Sequence, residues 1–137
     1  MRVFERKSEK LHTLFVYGTL RSGFSNHFLL EGAIFLGPAE TREKYALFSD
    51  GIPYATREKE VSTIAGEVYR VNSKTLEYVD LLEGHPGRYR RELVPVLIQD
   101  GSTTLAWIYF NPIPKGILVE SGDYAEAVDE NADQADA

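Results

Sequence analysis

VSTIAGEVYRVNSKTLEYVDLLEGHP, residues 61–86, joins the two kinds of element from which this chain is built. Its first part, Val61 to Val71, is rich in β-branched and aromatic residues and reads as a strand; Gly66 within it points to a bulge or a barrel corner. The second part reads as a helix. Asn72 or Ser73 caps it, Leu76, Val79 and Leu82 form its apolar stripe, and Gly84 with Pro86 ends it. No other stretch predicts a helix of that length.

Upstream, Met1 to Lys10 is a charged, polar leader. Leu14-Phe15-Val16-Tyr17 is a continuous apolar run stopped by Gly18, the pattern of a strand buried on both faces. Ser25 or Asn26 caps a short helix through Phe28, Leu29 and Leu30, with Gly32 just past its end. Ala33 to Leu36 and Tyr45 to Phe48 read as strands, and Ser49-Asp50-Gly51 as a turn. Downstream, Tyr89 to Ile98 and Thr103 to Phe110 form a hairpin through Gln99-Asp100-Gly101-Ser102. Pro95 removes one ladder donor, which places it at an edge or a bulge. Strands outnumber helices and only one helix is long. The expected class is therefore α+β with a small, curled or barrel-like sheet, because a doubly wound sheet needs a helix between most strands.

The chain has 137 residues, enough for one domain with a real core. The expectation is a single domain over residues 1–124 followed by an acidic, low-complexity tail over 125–137. The net charge of −6 belongs to the C-terminal end: Glu120, Asp123, Glu126, Asp129, Glu130, Asp133 and Asp136 face no base there, which leaves fifteen bases against fourteen acids elsewhere. A nearly neutral body lacks the basic footprint of a nucleic-acid binder. No cysteine is present, which removes disulfides, thiolate metal ligands and thiol nucleophiles. Apolar runs are too short to cross a bilayer, and Met1-Arg2 leads into charge rather than a secretory core. The expectation is a cytoplasmic protein with neither a membrane nor a nucleic-acid partner.

Two positions carry chemistry. Gly18-Thr19 follows a buried strand, where glycine permits a tight turn or close approach. Successive N–H groups in such a turn can hold a carboxylate or an oxyanion; the plainer alternative is an ordinary strand-to-loop turn. Glu83 lies seven residues after Leu76, on the face the helix should bury. It also occupies the last turn, where the helix dipole disfavours an anion. Both effects raise a carboxyl pKa toward neutrality, unless Glu83 turns outward or pairs with Arg88, Arg90 or Arg91. Asp80, one helical neighbour away, either orients Glu83 or is solvated. Tyr17, Tyr89 and Tyr109 sit at strand ends as core edge or pocket wall. His27 and His85 are isolated, so no metal site is expected. Ser22 and Ser25 have no general base at motif spacing.

Together these positions resemble the γ-glutamylcyclotransferase-like family, in particular its γ-glutamylamine cyclotransferase-like branch. The blocks run in order: Tyr17-Gly18-Thr19-Leu20-Arg21 with Gly23 and Asn26-His27, then Gly51-Ile52-Pro53 and Gly66-Glu67-Val68-Tyr69. Val79-Asp80-Leu81-Leu82-Glu83-Gly84-His85 follows with Tyr89-Arg90-Arg91, and Ala106-Trp107-Ile108-Tyr109-Phe110 closes the set. The resemblance implies a small mixed barrel and a cofactor-independent enzyme acting on a small-molecule γ-glutamyl substrate. Tyr17, Gly18, Thr19 and Leu20 would hold the substrate's α-carboxylate and neighbouring polar groups, Tyr89 and Tyr109 would line the same pocket, and Glu83 would accept a proton. The alternative is a non-catalytic small-ligand binder using the same cavity. Arg42 to Arg57 and Asn111 to Gly116 are the loops expected to meet the leaving amine. Neither its identity nor the oligomeric state is encoded legibly.

Overall fold

The structure, a computed structural model, describes residues 10–127. Most of the leader and residues 128–137 of the acidic tail lie outside it. In chain order the elements are β1 (Leu11–Val16), a 3₁₀ turn (His27–Leu30), β2 (Ile34–Thr41), β3 (Ala46–Ser49), β4 (Pro53–Thr56) and β5 (Ala65–Asn72). Helix α1 (Ser73–Glu83), β6 (Arg90–Ile98), β7 (Thr103–Phe110) and β8 (Ile117–Leu118) complete them. Strands β1, β5, β2, β6 and β7 pair in that order, and β7 returns to β1 through Leu14 opposite Trp107, closing a five-stranded barrel. From β7 the sheet continues outward through β4, β3 and β8. The class is α+β, as the sequence indicates.

Period-two alternation builds both sides of the barrel wall. Phe15, Val68, Val94, Val96, Ala106 and Ile108 are buried together in one core cluster. Their neighbours Leu14, Val16, Tyr69, Val71 and Tyr109 belong to a second cluster, where Leu76 and Val79 of α1 cover them. That explains the unbroken apolar run in β1. Burying each of these two helix side chains contributes about 1.5–3 kcal/mol. The helix boundaries match the sequence signals: Asn72 Oδ1 accepts the Thr75 N–H at 2.8 Å, and Gly84 adopts φ +67° as the left-handed cap.

Several local expectations change. Asn26 does not cap the short helix, which is a single 3₁₀ turn; its side chain instead donates to Thr19 Oγ1 at 2.8 Å. The bulge is not at Gly66 but in the neighbouring strand β2, between Phe35 and Gly37 and opposite Tyr69 and Val68, where Gly37 takes φ +135°. Gly66 answers a different need. A Cβ there would lie 2.3 Å from the Val16 carbonyl oxygen and 2.7 Å from the Phe15 ring, so β1 closes onto β5 only over a glycine. Pro95 lies inside the sheet, at the point where β2 stops pairing with β6. Its carbonyl accepts the Arg42 N–H, and the missing N–H faces the same side, where the ladder has ended. Strand β4 carries no period signal in its sequence, Pro-Tyr-Ala-Thr. It is a strand because β3 and β7 supply partners on either side.

Replacing Gly66 with Ala should destabilise the protein by about 1–3 kcal/mol, the range for forcing volume into a closed core. Chemical denaturation measures this, and an unchanged midpoint would contradict the close approach of β1.

Candidate active site

Strand β7 shares one edge between two parallel neighbours. Strand β1 lies beside Trp107 and β4 beside Phe110, so a gap opens between them. Tyr17, the first residue after β1, fills it. Its buried hydroxyl donates to the Tyr109 carbonyl at 2.6 Å and accepts the Ala55 N–H at 3.3 Å, joining β7 to β4 where no backbone can. A cavity of about 200 Å³ lies beside this junction, lined by Val16 to Leu20, Ile52, Pro53, Leu82, Glu83, Arg88, Tyr89 and Tyr109 among others. All seven residues named as site candidates from the sequence thus meet in one place, although Gly18 and Glu83 are 65 positions apart in the chain.

The Gly18–Leu20 loop is fixed from outside. Gly18 packs on Pro53, whose Cγ lies 2.4 Å from where a Cβ would project, so glycine here serves close approach and not a positive φ. The Arg21 N–H donates to the Gly18 carbonyl, the Asn26 N–H to the Thr19 carbonyl, and His27 Nδ1–H to the Leu20 carbonyl at 2.9 Å. These bonds engage the loop's carbonyls. The N–H groups of Gly18, Thr19 and Leu20 donate to no protein acceptor among the described residues. Three successive unspent donors beside a cavity form a ready concavity for an anion.

Glu83 reaches the same cavity from the last turn of α1. Burial raises its carboxyl pKa from 4.5 to about 7, against the opposing pull of the Arg88 charge. It has no ion-pair or hydrogen-bond partner among the described residues. The cations that could have quenched it are engaged or held off. Arg91 makes a two-pronged contact with Asp80, through Nε at 2.9 Å and Nη2 at 3.2 Å, and lies over the Trp107 ring. Arg88 stacks its guanidinium on Tyr89, 5.6 Å from the ring centre. Asp80 does not orient Glu83. Burial works to raise its pKa, but hydrogen bonds from Arg91 and Tyr109 outweigh this and hold it below the usual carboxylate value.

The three tyrosines are walls whose hydroxyls are already spent. Tyr89 donates to the Pro53 carbonyl at 2.7 Å and Tyr109 donates to Asp80. Burial pushes Tyr17, Tyr89 and Tyr109 all well above the ordinary phenol range, so they stay neutral. Sequence reasoning treated Arg88 only as a partner for Glu83; it is instead the cation on the cavity wall. Gly84 makes this possible by turning the chain so that the Arg88 N–H returns to its carbonyl at 2.8 Å. Among the described residues no group of three or more His, Cys, Asp or Glu is placed to hold a metal, and no helix is long and apolar enough to cross a membrane. The loops expected to meet a leaving amine divide: Ile52 and Pro53 line this cavity, whereas Arg57, Asn111 and Pro112 line a second one.

A carboxyl whose pKa is higher folded than unfolded costs stability as it ionises. The folded state keeps its proton longer, so the cost is absent below about pH 4.5 and complete above about pH 7. Glu83→Gln should therefore gain stability over the parent between about pH 5 and about pH 8, by on the order of 2–3 kcal/mol. Denaturation curves at both pH values test this, and a constant difference would contradict a buried, unpaired carboxyl.

The chain is similar over most of its length to known proteins. The family model described as gamma-glutamyl cyclotransferase, AIG2-like, matches residues 14–126. A Methanocaldococcus jannaschii protein named "putative gamma-glutamylcyclotransferase" is 49% identical over 114 residues, covering 82% of this chain and 95% of that one. A Vibrio cholerae protein of the same name is 38% identical over 119 residues, covering 85% and 98%. The crystal structure of an uncharacterized Pyrococcus horikoshii protein superposes with a TM-score of 0.69 at 34% identity, over 88% of this chain and 96% of that one. That of an AIG2-like protein from Mus musculus gives 0.67 at 27% identity, over 74% and 77%.

Proposed function

The chain belongs to the gamma-glutamyl cyclotransferase, AIG2-like family, and from that premise we propose that it cyclises γ-glutamyl amides, releasing 5-oxoproline and an amine, with Glu83 as the proton-transferring group. The observation that carries this reading is the unpaired Glu83 carboxyl, raised to about pKa 7, in a cavity it shares with three unspent backbone donors.

The substrate supplies its own nucleophile. Its α-amino group is protonated near neutrality, with an ordinary pKa of roughly 8. A base of pKa about 7 is close enough to take that proton and still be ionised in the cell's pH range. An exposed glutamate at 4.5 is a far weaker base. The freed amine attacks the side-chain carbonyl carbon, forming the ring C–N bond. The carbonyl electrons move to oxygen, and the Gly18–Leu20 N–H groups are the donors available to that oxyanion or to the α-carboxylate. A well-placed donor contributes about 3 kcal/mol to an oxyanion. As the intermediate collapses, the original amide C–N bond breaks, Glu83 returns its proton to the leaving nitrogen, and the ring nitrogen's second proton passes to the same group, which departs as an ammonium. Proton and electron pairs balance with no external oxidant or co-reactant.

Because attack is intramolecular, holding the glutamyl chain in a folded conformation supplies much of the acceleration. The cavity suits that task. At about 200 Å³ it is smaller than the roughly 300–1,000 Å³ of drug-sized sites, and it takes a unit of amino-acid size. Rigid walls follow from the tyrosine hydroxyls being tied to backbone and to Asp80.

Purified protein mixed with γ-glutamyl amines and γ-glutamyl peptides should yield 5-oxoproline by mass spectrometry, and Glu83→Gln should lower kcat by at least about 100-fold, the usual weight of a general base. For the parent, kcat/KM should rise with pH through about 7 as Glu83 ionises. Full turnover by the variant would contradict the role of Glu83. Saturable binding with no product would instead point to the non-catalytic alternative.

A further inference from the structure

We propose that a second cavity, on the far side of the 86–90 turn, is a binding site for a free α-amino acid: Asn111 Nδ2 and the Arg90 guanidinium take its carboxylate, and Glu58 takes its ammonium. The cavity holds about 320 Å³ and is lined by the end of β4 and the residues after it, the start of β6, and the end of β7. It shares no lining residue with the Glu83 cavity; Pro86, Gly87 and Arg90 face one space while Arg88 and Tyr89 face the other.

Asn111 is the observation that points to a ligand. Its residue is 94% buried, with only 6% of its surface exposed. Its Oδ1 accepts the Ile113 N–H at 2.8 Å, which fixes the amide orientation and leaves Nδ2 as the other atom. Nδ2 has no partner among the described residues, yet it is not sealed in the core with the buried unsatisfied atoms. Asn111 lines the cavity, and its amide donor is uncommitted to any protein acceptor among the described residues. A cation lines the same cavity. Arg90 lies directly opposite Phe110, the residue before Asn111, and the Asn111 N–H is held by the Ala55 carbonyl at 2.8 Å.

The charges are already sorted. Arg57 is engaged by Glu92 and lies over the Tyr45 and Phe110 rings at 5.9 and 5.5 Å. Arg90 and Glu58 make no side-chain ion pair or hydrogen bond among the described residues. What remains uncommitted is one cation, one amide donor and one carboxylate around a single cavity. A simple anion leaves Glu58 facing it unmatched, and a simple amine leaves Arg90 and Asn111 unmatched. A zwitterion satisfies all three.

The test is heteronuclear NMR titration of the full chain with glycine, L-lysine and L-glutamate, alongside acetate and methylamine. The amino acids should shift the Asn111 side-chain amide and the Arg90 signals saturably, with acetate and methylamine at least ten-fold weaker. Asn111→Asp keeps the acceptor for Ile113 and removes the donor; Arg90→Gln alters only an exposed side chain and decides the matter if the first variant fails to fold. Each should weaken amino-acid binding at least ten-fold, while Glu83→Gln should leave it unchanged. Absence of shifts at millimolar concentrations, equal binding by both variants, or loss of binding in Glu83→Gln would overturn the proposal. The last of these would place the amino acid in the other cavity.

Discussion

Two strands compete for one edge of β7, and the rest of the molecule follows from how that competition is resolved. Near Trp107 the edge belongs to β1, which closes the barrel; near Phe110 it belongs to β4, which starts the outer sheet. Where β1 leaves, unpaired backbone groups would be stranded in the interior at a cost of about 1–3 kcal/mol each. The Tyr17 hydroxyl, an acceptor and donor at once, satisfies the Tyr109 carbonyl and the Ala55 N–H together. Barrel closure, the exit of the chain into the Gly18–Leu20 loop and the cavity beside it thus depend on one phenol. Its oxygen is committed to backbone, whereas the Glu83 carboxyl and the Gly18–Leu20 N–H groups beside it have no protein partner among the described residues.

Glu83 is the complement of that arrangement. A carboxylate on the buried stripe of an amphipathic helix is normally quenched by a cation. Here the neighbouring arginines are given other work: Arg91 clamps Asp80, with Tyr109 completing that cluster, and Arg88 lies along Tyr89. The network around Asp80 holds one carboxyl ionised, while burial holds its neighbour three residues on near neutrality. Two acids on one helix therefore have opposite characters, one set by its hydrogen-bond partners and the other by burial without them.

The sequence made local features legible and left the long-range ones hidden. Helix α1 could be read because its cap, stripe and terminating glycine are all local. Glu83 stood out by interrupting that stripe. The β6–β7 hairpin was visible through its Asp-Gly turn. Strand β4 was invisible because Pro-Tyr-Ala-Thr has no preference of its own and is recruited by β3 and β7. Gly66 was singled out as a bulge or a barrel corner; it is not the bulge, and what it accommodates is a carbonyl of β1, 50 residues away. Leu82, read as part of the apolar stripe, is 39% exposed and lines the cavity. Whether a tyrosine hydroxyl binds substrate or backbone depends on partners as far as 92 positions away, as for Tyr17, and no period or motif encodes that.

The most direct test of the account is the titration of Glu83 itself, followed by carboxyl ¹³C NMR on the wild-type protein with the Glu83→Gln variant to assign the resonance. A midpoint near 7, with Asp80 remaining ionised well below it, is the result expected from a buried carboxyl without a partner. A midpoint near 4.5 would mean that Glu83 is solvated or paired, and the cavity would lose the base on which the proposed chemistry rests.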